Sequence, residues 1–242
     1  MEGRIISISN SGKGSVNTGN NQYGILPIYQ LPPNVAVDMT IEFTIRVSAI
    51  GNTYAVFSSI VERNTALFNT EDRSRWYTWG EDEEGDFVRL VVPDLHIDLR
   101  KNPEKETRPW AIDLIDYTHN RFADLKTQNT PFFSCGQYQY NGEPYDPRYT
   151  VTFNKKDYEN YIDNHPDCDI YFWVNWRQLS YRQTTIEGLY GVWRAPFSVM
   201  AEKIESGQVV LHAYLHRTDD DHNAKDSYLF MLNDPNVFER LL

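Results

Sequence analysis

The sequence predicts an α/β protein, an α+β mixed sheet with helices, preceded by a small all-β barrel. Three observations predict it. Residues 3–62 are a succession of strand-like runs and turn residues with no helical periodicity. Beyond residue 87 strand-like and helical stretches alternate. Cys168 to Trp176, CDIYFWVNW, is nearly continuous in apolar residues, as expected of a strand buried on both faces. The expected domains are a barrel at 1–63, an acidic linker with a short helix at 64–86, and an α/β domain at 87–242.

A length of 242 residues is ample for a buried core. With 40 % hydrophobic residues, and 16 Tyr, 12 Phe and 6 Trp, the chain has the apolar surface that disordered chains lack. No apolar run approaches the roughly 20 residues that a membrane span needs, and MEGRIISIS lacks the apolar core of a signal peptide. A soluble, cytoplasmic protein with no membrane partner is the expectation. Cys135 and Cys168 have no CxxC partner, which fits free thiols in a reducing compartment. The net charge of −11 means that a nucleic-acid partner would have to be held by a local basic patch, a dimer groove or another protein, in weak and salt-sensitive binding.

Taken in order, the first strands are GRIISIS, GSVNTG, YGILPIYQL, VDMTIEFTIRVSAIG and TYAVFSSIVE. Their order and spacing, with Gly-Lys-Gly at 12–14 beside the second, resemble an OB-fold of cold-shock type. That resemblance implies single-strand binding by base stacking on the second and third strands. Here the second strand carries Ser15, Val16 and Asn17, and only Tyr23 and Tyr29 remain on the third. Each stacked base contributes about 1–3 kcal/mol. Arg4, Lys13, Arg46 and Arg63 are balanced by Glu2, Asp38, Glu42 and Glu62, so there is no basic stripe, and a docking module suits the barrel equally well.

Residues 80–86, GEDEEGD, read as a solvated acidic loop, after a short helix from Thr70 to Trp79 with Glu71 and Asp72 in its first turn. Phe87 to Val92 and Leu95 to Leu99 read as strands, and Pro103 to Pro109 as a charged turn. Residues 129–147 form an irregular loop, and Tyr149 to Phe153 a strand. Asn154 caps a helix from Lys155 to Asn164, whose leading lysines oppose the helix dipole. Then follow the buried strand, a strand at Gly191 to Phe197, a helix at Ser198 to Ser206 stopped by Gly207, and strands at Val209 to Leu215 and Ser227 to Leu232.

The chemistry concentrates between Trp110 and Phe133. Ala111 to Tyr117 and Phe122 to Gln128 read as a hairpin turning at Thr118-His119-Asn120-Arg121, with Tyr117 opposite Phe122 and Asp113 opposite Lys126. Period two puts Ile112, Leu114, Ala123 and Leu125 on a core face and Asp113, Asp124, Lys126 and Gln128 on the other. Asp113 and Asp124 would be diagonal neighbours, roughly 7–8 Å apart at Cα, able to converge on a hard divalent cation. The same residues on a solvated face would be an ordinary cross-strand ion pair.

Asp113, ten residues, then Asp124-Leu125-Lys126 resembles the signature of the PD-(D/E)XK nucleases, the restriction-endonuclease-like superfamily, over about residues 85 to 180. Ile112 replaces the usual proline and Asp124 the commoner glutamate. The resemblance implies a restriction-endonuclease-like core and a DNA endonuclease that depends on Mg²⁺ or Mn²⁺. Asp113 and Asp124 would be metal ligands, and Lys126 the water-positioning base or electrostatic stabiliser. Gln128 matches a polar position that some members use, and Glu71 would be the further acid from a preceding helix. A homodimer cutting both strands, or a structure-specific nuclease aided by the barrel, would fit. The alternative is a non-catalytic scaffold, associated with nucleic acid or a protein partner, that keeps the fold.

A rival cluster lies in the tail, where His212, His216 and His222 accompany Asp219, Asp220 and Asp221. Histidines at i and i+4 could share zinc on a helix. The segment reads as a strand, where that spacing is about 13 Å, too far for one ion.

Overall fold

Alternating apolar residues in the first sixty positions close a sheet on itself. The computed structural model describes residues 1–25, 31–32, 35–48, 50–62, 83–108, 110–213 and 226–242. Strands β1 (Glu2–Ile8), β2 (Gly14–Asn17), β3 (Gln22–Ile25), β4 (Thr40–Val47) and β5 (Thr53–Glu62) form a closed barrel in the order β1-β2-β3-β5-β4. The β3–β5 pair is parallel and the others antiparallel, an OB-like arrangement. Ile5, Ile8, Val16, Ile25, Ile41 and Phe43 fill it. Gly-Lys-Gly makes the first turn. Gly12 has φ +83°, and a Cβ on Gly14 would lie 2.1 Å from the Ser7 carbonyl oxygen, where β1 bulges between Ile5 and Ser7. Tyr23 packs inward against Phe43 with ring centroids 5.7 Å apart, and Tyr29 lies outside the described residues.

The chain divides into two compact units, one of residues 1–81, 129–131 and 174–190, the other of residues 82–128, 132–173 and 191–242. In the first, the later segments are bound to the barrel through polar groups. Arg177 is fully buried, donates to the Pro32 and Val35 carbonyls and accepts the Val37 amide on its own carbonyl. Asn129 donates to the Ile8 carbonyl and Asn175 to that of Asn10.

The second unit opens with a helix, which corrects the strand expected at Phe87 to Val92. Helix α1 (Glu83–Leu90) is followed by the single turn α2 (Val92–Leu95). Phe87 and Val91 are both buried at i and i+4, a helical spacing, and Glu83, Glu84 and Asp86 stand at the positive end of the helix dipole. The acidic run therefore starts a helix at its end, while the helix expected at Thr70 to Trp79 lies outside the described residues. Next come β6 (Leu99–Lys101), a 3₁₀ turn (Pro103–Glu106), β7 (Leu114–Asp116), β8 (Arg121–Gln128) and the short hairpin β9 (Gln139–Tyr140) and β10 (Glu143–Pro144). Strand β11 (Thr150–Asn154), helix α3 (Lys155–Asn164) and strand β12 (Asp169–Asn175) follow, and all seven β12 residues are buried. The chain then runs through the two-residue strands β13 (Ser180–Tyr181) and β14 (Thr184–Thr185), β15 (Tyr190–Pro196), α4 (Phe197–Glu205), β16 (Leu211–His212), β17 (Ser227–Met231) and β18 (Glu239–Arg240). Ser198 lies inside α4 and is not its cap, and Gly207 ends the helix with φ +70°.

Six strands make the main sheet, in the order β18-β15-β12-β8-β7-β6, and β11-β17-β16 form a smaller one. Ile112, Leu114, Ala123 and Leu125 are all buried, as the hairpin pattern predicts. Trp173 of β12 meets Phe87 of α1 at 5.5 Å between centroids. Phe153 is an aromatic hub that joins β11 to Tyr161 of α3, Phe197 of α4 and Phe230 of β17. Asp116 at the end of β7 is fully buried. It accepts the His119 amide at 3.0 Å and the Tyr171 hydroxyl at 2.7 Å, and lies 2.8 Å from His119 Nδ1. Burial alone would raise its carboxyl, but the His119 and Tyr171 contacts outweigh that and hold it below the ordinary carboxylate range. Among the described residues no helix is long and apolar enough to cross a membrane.

Two outcomes follow from this packing. Gly14→Ala should lower stability by about 1–3 kcal/mol through forced separation of β1 and β2, read as a lower denaturation midpoint; unchanged stability would show that the turn has room. Tyr171→Phe should cost about 1–3 kcal/mol at neutral pH. Because the folded carboxyl of Asp116 is depressed, its contribution is full above the unfolded value of about 3.9 and fades as pH falls through the folded one. The difference between wild type and Tyr171→Phe should therefore shrink in acid, and a gap constant with pH would exclude Asp116 as the partner.

Candidate functional site

The hairpin turns one residue earlier than the sequence suggests, with its four-residue loop at 117–120 in place of 118–121. Leu114 pairs with Ala123, Ile115 with Phe122 and Asp116 with Arg121, in place of Tyr117 with Phe122. Asp116 explains the change, because its carboxylate accepts the His119 amide and closes the turn over residues 117–120, while Asn120 takes the left-handed conformation at φ +53°. A slip of two residues keeps every side chain on its expected face. Continued one position beyond the paired residues, the same register sets Asp113, just before β7, across from Asp124 in place of Lys126. The Leu125 amide donates to Asp113 Oδ2 at 3.2 Å, and the Asp113 carboxylate is close enough to help raise the Asp124 carboxyl.

Two ammonium groups bracket this pair. Lys105, on the 3₁₀ turn, lies 2.5 Å from Asp113 Oδ1 and is ion-paired to Glu84 in the first turn of α1. Lys126 lies 2.7 Å from Asp124 Oδ2 and donates to Asp157 Oδ2 at 2.6 Å, from the first turn of α3. Its ammonium is also 5.8 Å from the ring centroids of Phe153 and Tyr161. Carboxylates from α1, the approach to β7, β8 and α3 are thus linked in pairs through the two ammonium groups.

Burial sets the electrostatics. It pushes Asp124 above the ordinary carboxylate range, Lys126 pulls it back, and Asp113 adds to the rise. Burial would lower Lys126, but Asp124 and Asp157 outweigh it and hold the amine charged. Lys105 behaves likewise, with burial opposed by hydrogen bonds to Asp113 and Glu84. Tyr161 is raised by burial and by the nearby Asp124.

Of the residues singled out in the sequence, Asp113, Asp124 and Lys126 come together. Gln128 does not join them: its Nε2 donates to the Thr152 carbonyl at 2.7 Å and its Oε1 accepts the Thr152 amide at 3.2 Å, so the amide clamps β8 to β11. Glu71 lies outside the described residues, and the acid that α1 supplies is Glu84. Sequence reasoning missed Glu84, Lys105, Asp157 and Tyr161. The signal for Asp157 was its place three residues after Asn154, and for Tyr161 its place one turn further on the same helix.

Among the described residues no three Asp, Glu, His or Cys side chains already converge as a metal cage. The donor chemistry of Glu84, Asp113 and Asp124 nevertheless fits a hard cation: all are carboxylates, and a raised, buried carboxyl beside another gains most from added positive charge. In the tail, His212 sits in a strand with Nδ1 2.7 Å from the Tyr138 hydroxyl, and His216, His222 and Asp219 to Asp221 lie outside the described residues. Both cysteines are buried free thiols, pushed by burial to about 11 at Cys135 and about 12 at Cys168, which makes them poor nucleophiles. Compared with protein-family models, curated proteins and solved structures, the chain matches none.

Proposed function

We propose that the second unit is a metal-dependent nuclease with a restriction-endonuclease-like core, acting on phosphodiester bonds of DNA. The observation that carries this reading is the linkage of Glu84 of α1, Asp113 before β7, and Asp124 and Lys126 of β8 through the two ammonium groups. DNA as the substrate rests on the resemblance of the Asp113 and Asp124-Leu125-Lys126 motif, which is an analogy.

Glu84, Asp113 and Asp124 would hold Mg²⁺ or Mn²⁺. When bound, such an ion supplies Lewis acidity toward a phosphate oxygen and lowers the pKa of coordinated water. Lys126 works as an ammonium. Its raised pKa removes it as a proton acceptor at neutral pH, so its part is to donate hydrogen bonds to an attacking or phosphate oxygen and to stabilise developing negative charge. Asp157 and Asp124 keep that amine charged and aimed. Low exposure around Lys126 strengthens each of these interactions relative to water.

A specific observation supports the second reading, a binding scaffold without catalysis: each lysine is already engaged by two of the acids, and Trp110, Val47 and Ile50 are exposed apolar side chains suited to protein contact. Supercoiled plasmid separates the two. Wild type should nick it in Mg²⁺ or Mn²⁺, and the shape-preserving Asp113→Asn and Asp124→Asn variants should lose about a hundredfold or more in rate. Equal behaviour of wild type and variants, with circular dichroism showing both folded, would leave the scaffold.

A further inference from the structure

Lys105 is held where positive charge is needed. Asn102 anchors its turn on both sides: its side-chain oxygen accepts the Glu104 amide at 3.1 Å, its Nδ2 donates to the Ile112 carbonyl at 3.0 Å, and its own amide donates to the Asp113 carbonyl at 2.9 Å. The turn is thereby fastened to the segment that delivers Asp113. Only 22 % of the Lys105 side chain is exposed, and its single ammonium spans carboxylates from two different elements, Glu84 of α1 and Asp113 before β7. Four carboxylates at the site, Glu84, Asp113, Asp124 and Asp157, face two ammonium groups, so two negative charges remain formally uncompensated. Lys126 is shared between Asp124 and Asp157 and leaves Glu84 and Asp113 to Lys105.

The geometry points to Lys105 as a resident counter-cation that competes with a divalent metal ion for Glu84 and Asp113, so that binding of the ion requires the ammonium to withdraw. This rests on the metal-dependent reading above. An ion that used both carboxylates would need Asp113 Oδ1, the atom that Lys105 engages at 2.5 Å. The lysine keeps the acids from repelling one another before the ion arrives, and the same attraction raises the ion concentration at which the site fills. On withdrawal, the flexible four-carbon stem carries the charge toward solvent.

The test uses the full chain and Mn²⁺ as the probe, with affinity read by calorimetry at fixed pH and ionic strength. Lys105→Met should bind Mn²⁺ about five- to tenfold more tightly than wild type. It should also melt at a lower temperature without metal and gain more from Mn²⁺. Lys105→Arg should stay near wild type. Unchanged or weaker binding by Lys105→Met, with binding still abolished by Asp113→Asn, overturns the role of Lys105 alone. Absent or Asp113-independent binding in both proteins overturns the metal-dependent reading and this inference with it. A second measurement needs no variant. In wild type, acetylation of the Lys105 amine, followed by mass spectrometry, should rise severalfold when Mn²⁺ is added, and unchanged or reduced labelling would overturn the proposal.

Discussion

Two neighbouring carboxylates, one just before β7 and one on β8, impose the constraint that organises the second unit. At an effective dielectric of about 20, like charges about 4 Å apart repel by about 4 kcal/mol, a large part of a domain's net stability. Asp113 raises the Asp124 carboxyl through this kind of repulsion, and Asp124 is almost fully buried. The surroundings can be read as the answer to that repulsion. A 3₁₀ turn fastened by Asn102 brings Lys105 to Asp113, while β8 itself brings Lys126 to Asp124. Each lysine then draws in a further acid, Glu84 from α1 and Asp157 from α3, and so ties a helix to the hairpin.

The packing around the site makes this arrangement rigid. Phe153 and Tyr161 lie against Lys126 and also belong to the aromatic group that joins β11, α3, α4 and β17. Gln128 adds a backbone clamp from β8 to β11. A side chain with the mobility of lysine is thus confined by carboxylates at its head and rings along its stem. Such confinement leaves the charged head little room to reorganise.

Much of this was legible in the sequence, and the reasons for the rest are local. The five strands of the barrel and the core face of the hairpin follow from period-two alternation, which survives small errors of register. The placing of Asp113 across from Asp124 was not legible, because it depends on Asp116 capping a turn through the His119 amide, a contact with no periodicity to announce it. Helix α1 was hidden by the short run Phe87 to Val92, where apolar residues suit a strand as well as a helix; the buried pair Phe87 and Val91 and the acidic first turn decide it. Missing that helix concealed Glu84, and with it the partner of Lys105. Asp157 was overshadowed by the two lysines before it, although Lys155 pairs with Glu159 on the exposed side of α3.

The buried Arg177 bears on how the molecule is made. Its guanidinium serves the carbonyls of Pro32 and Val35, and its own carbonyl receives the Val37 amide, yet more than a hundred residues separate these partners along the chain. During vectorial synthesis the barrel strands leave the ribosome early, while the groups around Val35 and Val37 must wait on water until Arg177 emerges. The module that is translated first is therefore completed late, and a gene fragment that encodes its strands alone would encode an unfinished fold.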